Sequence, residues 1–300
     1  MSTESLTFAM TESEIPSEAP QDQVHQLPDG GFVRTGNLAP DTEAGKVFYG
    51  TNLFADAVGV LSKDKIAKLL NAPGRKAGRL RFDPSKWIKN QGRRGSCNPY
   101  ACCGALERAR VIRGEPFVQL GPEFMYAHIN GGRDAGSGLA KSLEASEVLG
   151  CPPKEYVKYE SYKRNEQTPE GFANAERFRS AEGFAIHTED ELATAIALNM
   201  PCVVAVHVNN NWMKLDGDGI AGGANGAGNH AIGLHDLRIN SQGGYEFDHF
   251  GSWGLRYGDK GHAWTTWRRH YATTIRYHQF YAFPTTRDDQ GDAQQLPPKG

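Results

Sequence analysis

The chain has no two cysteines in a C-x-x-C pair, no Lys or Arg before Arg34, no long apolar run and almost no net charge. Each absence removes a class of function. Its five cysteines, at 97, 102, 103, 151 and 202, and its ten scattered histidines do not fall at zinc-ligand spacing, so neither a structural metal nor a cofactor is expected. Nothing approaches the roughly 18 consecutive apolar residues that a membrane-spanning helix needs. The opening segment also lacks a basic n-region and an apolar h-region, which argues against a secretory signal and for a cytoplasmic location. A formal charge of −2 gives no global attraction to nucleic acid or to an anionic membrane.

What is present falls into blocks. Residues 1–42 are rich in Ser, Thr, Glu, Pro and Gln, with six acidic residues before Arg34. Such a segment buries too little apolar surface to offset its ordering entropy, and is expected to be disordered or to order against a partner. Residues 43–80 form an N-terminal extension in which Phe54, Val58, Leu61, Ile66, Leu69 and Leu70 can share one helical face before the stop Asn71-Ala72-Pro73-Gly74. Arg75, Lys76, Arg79, Arg81, Lys86, Lys89, Arg93 and Arg94 make a basic run. It reads as a solvated face, or as a docking strip for an acidic substrate or a nucleic-acid backbone, with little aromatic interleaving to support the latter. Residues 286–300 are a polar tail.

Residues 81–285 can build one large domain or two lobes around a cleft. Helical patterns dominate its first half: 97–112, then Gly121 to Tyr126, then 139–149 closed by Gly150. From Thr188 the pattern turns mostly to strands, at 202–206, 230–237, 244–250 and 273–283, after one helix opened by the capping box of Thr188 and Glu191. The class is therefore α+β.

Two stretches carry chemistry. Asn90-Gln91-Gly92-Arg93-Arg94-Gly95-Ser96-Cys97 is a Gly-rich turn that ends in a cysteine where a helix begins. There the free N–H groups and the helix dipole favour a thiolate; the plainer reading is a small buried apolar side chain. Gly228-Asn229-His230-Ala231-Ile232 places a histidine 133 residues later, followed by Gly251-Ser252-Trp253-Gly254.

These residues resemble the papain-like cysteine peptidase family over roughly Arg81 to Phe283, in a divergent form with features of bacterial and viral members around Cys151-Pro152-Pro153. Asn90-Gln91-Gly92 and Gly95-Ser96-Cys97 match the family's N-Q-G-x-C-G-S-C-W, with Arg94 in place of its first cysteine and Asn98 in place of its tryptophan. His230-Ala231-Ile232 matches the histidine strand. The resemblance implies a helical first lobe, a β-rich, barrel-like second lobe, and hydrolysis of a protein or peptide substrate. Cys97 would be the nucleophile, and His230 its ion-pair partner and proton donor. Gln91 would be an oxyanion donor. Gly136, Ser137 and Gly138 would pair with substrate backbone, a role that competes with an ordinary helix-capping turn. Trp253 would shield the histidine, or serve simply as a core aromatic. The loss of a disulfide cysteine at Arg94 fits a reducing compartment. The helix at 54–70 would either cross the cleft as a pro-region or pack on the domain surface.

One departure cuts against activity. The family's third catalytic residue, an asparagine, is Gly251, which has no side chain to orient the imidazole. His249 lies on the same strand face as Gly251 and Asp248 on the other, so neither is a clean replacement. A peptidase and a catalytically impaired module used for binding, or as a structural component such as that of a virion, both remain open.

Overall fold

The computed structural model describes residues 10, 12–17, 19–26, 31–38, 53–75, 78–181, 183–223, 226–277 and 279–283. The C-terminal tail expected at 286–300 lies outside them.

The N-terminal arm contains a hairpin in which β1 (Val24–Gln26) pairs antiparallel with β2 (Phe32–Arg34). The apolar face expected over 54–70 is split into α1 (Phe54–Ala57) and α2 (Lys63–Leu70), because Gly59 between them takes φ +85°. Ser62 caps α2 through its hydroxyl. Phe54 and Ile66 are fully buried in the core of the second lobe, and Phe54 meets Phe184 edge-on at 6.5 Å. These two helices thus pack against β3 (Phe184–Ala185) and the helix at Glu189–Ala197 in the second lobe.

Two short helices, α3 (Gly78–Arg81) and α4 (Pro84–Trp87), lead into the first lobe. Its axis is α5 (Cys97–Ile112), surrounded by α6 (Pro122–Ile129), α7 (Leu139–Val148) and α8 (Pro169–Ala175). The second lobe comprises β3 (Phe184–Ala185), α9 (Glu189–Ala197), β4 (Cys202–Val206), β5 (His230–Ile239), β6 (Tyr245–Phe250), β7 (His262–Thr266) and β8 (Phe280–Ala282). The strand expected over 273–283 is only its last part, since Thr274–Tyr277 forms a 3₁₀ turn. The capping box that opens α9 is formed in both directions.

The strands make one antiparallel sheet in the order β3-β8-β4-β5-β6-β7. Alternation on β4 joins the lobes: Cys202, Val204 and Val206 enter the second-lobe core, while Val203 and Ala205 face the core built around α5. Gly104 on α5 and Gly233 on β5 leave the room that the Phe250 ring fills between helix and sheet. The result is the two-lobed α+β architecture, with Cys97 at the tip of the first lobe's axis and His230 at the start of a second-lobe strand.

Candidate active site

Cys97 and His230 both sit at element starts, and both are fully buried. What covers them is the chain's own arm. Running past the end of β2, residues 34–38 lie in the cleft as an extended segment. The N–H groups of Gly36 and Asn37 donate to the Asn229 carbonyl at 3.1 and 2.9 Å. The Ser137 N–H donates to the Gly36 carbonyl at 2.9 Å, and the Leu38 N–H donates to the Ser137 carbonyl at 2.9 Å, in parallel register. The turn Gly136-Ser137-Gly138 therefore pairs with extended backbone. Its position is held by Asn98, whose Nδ2 donates to the Ser137 carbonyl at 2.6 Å.

Gln91 is held on three sides. Its backbone N–H donates to the Ser252 carbonyl at 2.8 Å, and its Oε1 accepts from Ser252 Oγ at 2.5 Å. Its Nε2 donates to the Arg94 carbonyl at 2.7 Å and to the carbonyl of Arg34 in the arm at 3.1 Å. Trp253 Nε1 donates to that same Arg34 carbonyl at 3.2 Å. A carbonyl oxygen thus occupies the donor position of Gln91.

The Trp253 ring stacks on His230, with centroids 4.3 Å apart and planes 19° from parallel. Neither ring nitrogen of His230 has a hydrogen-bond partner among the described residues. Burial pushes its pKa down to about 3, and the charge of His25 in the arm adds to the effect. Burial likewise pushes the Cys97 thiol up to about 12, only partly offset by the N–H groups of Ala231, Gly36 and Asn98. The thiolate expected at this helix start is therefore not the favoured form while the arm is seated. Desolvation outweighs the helix dipole, whose effect is typically about 0.3–1 kcal/mol and about 2 at most.

The space beside Gly251 is taken by Tyr257: a Cβ built on Gly251 would lie 3.7 Å from its ring. Tyr257 hydroxyl pairs with His249 Nε2 at 3.1 Å, and Asp248 faces the opposite way, toward α5. Neither pairs with His230: Asp248 is on the opposite face of β6, and His249 is turned to Tyr257.

One cluster has the composition of a metal site: His235, Asp248 and His262. Arg108 Nε donates to His235 Nδ1 at 2.8 Å, which leaves the ring proton on Nε2, directed at Asp248 Oδ2 at 3.0 Å. That proton occupies the lone pair a metal would need, and the guanidinium adds a buried positive charge. The residues do not fit a metal; they form a polar brace between α5 and the sheet.

The basic run is neither an open strip nor a uniform solvated face. Lys89 pairs with Glu107 at 2.6 Å, Arg75 with Asp236 at 3.2 Å, Arg93 with Glu160 at 2.9 Å and Arg94 with Asp134 at 3.1 Å. Four contributors escaped notice in the sequence: Asn98, Asn229, Ser252 and Asp134. The first three adjoin residues already singled out, and that adjacency was the available signal; Asp134, two residues before Gly136, had none.

No helix among the described residues is long and apolar enough to cross a membrane. No curated protein matches the chain in sequence. Among solved structures, xylellain, a cysteine protease from Xylella fastidiosa, is 17% identical with a TM-score of 0.52, over 91% of this chain and 100% of its own. The proform of the ragweed pollen cysteine protease Amb a 11 is 18% identical with a TM-score of 0.59, over 81% and 76%. Bromelain from Ananas comosus, in complex with the inhibitor E64, is 19% identical with a TM-score of 0.53, over 66% and 93%. The family model described as papain family cysteine protease matches residues 81–283. A match spanning two thirds of the sequence, on the fold these three proteases share, is membership: the chain belongs to the papain family of cysteine proteases.

Proposed function

We propose that the chain is a peptidase that hydrolyses peptide bonds through Cys97 and His230, with Gln91 and the Cys97 N–H as oxyanion donors, and that its N-terminal arm holds it closed. The observation that carries this reading is the arm itself. The cleft binds an extended polypeptide through its backbone at Asn229 and Ser137 and receives a carbonyl oxygen at Gln91 Nε2. These are the contacts a substrate needs.

With the arm displaced, water reaches the cleft and the desolvation that keeps both groups neutral is relieved. Cys97 can then pass its proton to His230, the thiolate attacks the carbonyl carbon, and His230 returns the proton to the leaving amine. Water then hydrolyses the thioester. Gln91 stabilises the oxyanion in both steps; removing one such donor typically costs about 10²–10³ in rate. The ragweed neighbour is described as a proform, and an arm seated in the cleft suits a latent state of this chain as well.

A second reading has one observation in its favour. Among the described residues the ring nitrogens of His230 have no hydrogen-bond partner, and Gly251 has no side chain to supply one. A papain-like module that only binds extended polypeptide would need neither.

The test uses the full chain. A Cβ on Gly36 would run into the Gly95 carbonyl, so Gly36→Val should expel the arm without touching a catalytic group. Gly36→Val should hydrolyse an unfolded protein substrate and alkylate at Cys97 with iodoacetamide at pH 6 at least tenfold faster than wild type. If its turnover equals that of Cys97→Ala, the peptidase reading falls and the binding module stands.

A further inference from the structure

Arg34 is fully buried although it belongs to an arm rich in polar residues, and its guanidinium fills a hole made almost entirely by the domain. Nη1 donates to Asp134 Oδ2 at 2.7 Å and to the Arg93 carbonyl at 2.9 Å. Nη2 donates to the Asp134 carbonyl at 2.5 Å and to Gln23 Oε1 at 3.3 Å. Only Gln23 comes from the arm. Asp134 is itself fixed from behind, its Oδ1 accepting from the Gly95 N–H at 3.0 Å and from the Tyr126 hydroxyl at 2.7 Å.

The same residue has its carbonyl oxygen on Gln91 Nε2. A residue whose carbonyl occupies the oxyanion donor therefore directs its side chain into the Asp134 hole. The wall of the hole packs tightly: a Cβ on Gly95, whose N–H holds Asp134, would stand 3.1 Å from the Gly136 backbone. From this geometry we infer that the hole is a specificity pocket for a basic side chain, arginine above lysine, on the substrate residue that supplies the cleaved carbonyl, and that Asp134 is its determinant. The inference rests on the peptidase reading for its consequence, though not for its binding chemistry.

Charge and shape support an arginine. Three of the four acceptors remain when the arm leaves: a carboxylate and two backbone carbonyls, arranged around a planar fork of donors. Arg94 also pairs with Asp134, at the longer distance of 3.1 Å, while its Nε is spent on the Glu160 carbonyl and its guanidinium lies over the Tyr162 ring. It neutralises part of the carboxylate from the side and leaves the hole itself to the incoming group. An apolar or acidic side chain there would leave the two carbonyls without their donor and Asp134 Oδ2 with Arg94 alone, which discriminates more strongly than an apolar pocket does.

Two measurements test this independently. The first is calorimetric titration of the full-length Arg34→Ala chain with N-acetyl-arginine amide and N-acetyl-norleucine amide. The arginine compound should bind at least tenfold more tightly than the norleucine compound, and wild type, whose hole is filled, should bind neither. Equal affinity for the two compounds, or equal binding by wild type and Arg34→Ala, would overturn the pocket. The second keeps the inference testable even if Arg34→Ala fails to fold: a randomised peptide library is cleaved by the full-length Gly36→Val chain and the cut sites are read by mass spectrometry. Arginine and lysine should be enriched at least tenfold over norleucine at the residue before the cut. Cleavage without that preference overturns the pocket and leaves the peptidase standing. Arginine-selective binding with no cleavage above Cys97→Ala does the reverse.

Discussion

Two histidines five residues apart on β5 have the same depressed pKa, about 3, and opposite surroundings. His235 is bound at both ring nitrogens, to Arg108 and to Asp248, and the β-bulge at this point of β5 accompanies its turn toward α5. His230 is bound at neither, and rests under Trp253. A fully partnered imidazole has its tautomer and orientation decided by the fold, and so serves structure. An unpartnered one keeps both nitrogens available, which a proton carrier needs, but nothing beside it selects the useful tautomer.

The largest expected effects separate the pair. His230→Ala in the arm-expelled Gly36→Val chain should lower turnover by at least about a thousandfold, the loss expected for one member of a catalytic unit, with little change in melting temperature. His235→Ala should do the opposite. It leaves Arg108 and Asp248 buried without their link, costing about 3–5 kcal/mol and lowering the melting temperature by about 10 °C. Comparable activity losses from the two substitutions, at matched stability, would erase the distinction.

Giving His230 a partner should narrow the contrast. The backbone at Gly251 is not left-handed, and a Cβ there meets only Tyr257, at an ordinary 3.7 Å, so asparagine can be carried without strain. In the Gly36→Val chain, Gly251→Asn should raise kcat about tenfold to a hundredfold with little change in KM, corresponding to about 1.4–2.7 kcal/mol. An unchanged kcat would mean that the ring is already held as it needs to be.

The smallest effect is in pH. Both histidines have folded pKa values below the unfolded value of about 6.5, so the unfolded chain takes up their protons first. Their contribution to stability is whole above about pH 6.5 and is lost as pH falls toward 3. Asp248, held well below the usual carboxylate range by its two histidines, adds a loss of the same sign at lower pH. Wild type should therefore melt progressively earlier from pH 7 to pH 4, and His230→Ala should flatten that slope by one histidine without altering the pH 7 value. A parallel slope would show that His230 protonates without resistance.

The sequence made the lobes legible, and offered the candidate site residues, because those signals are local. Helix starts at Cys97 and Thr188 are announced by neighbours one to three residues away, and β4 and β5 by short apolar runs. The covering of the site was not legible. The pairing of Gly36 with Ser137 and Asn229, and of Arg34 with Asp134, joins segments about 100 to 200 residues apart that have no local reason to meet. The acidic, polar composition of residues 1–42 pointed to disorder, to ordering against a partner, or to pairing with the basic run of the same molecule. The order described in 23–26 and 31–38 is instead supplied by the chain's own cleft. The brace at His235 was equally hidden, since its charges come from α5, β5, β6 and β7.

Gln91 is anchored to Ser252 by backbone and side chain alike, so a donor that belongs to one lobe owes its aim to the other. The proposed oxyanion pocket is in this sense a joint, and it exists only while the halves are pressed together. On the proposed mechanism, any agent that parts them stops catalysis while each half keeps its own core. In a urea titration of the arm-expelled chain, turnover should therefore fade at concentrations where the helical signal is still whole.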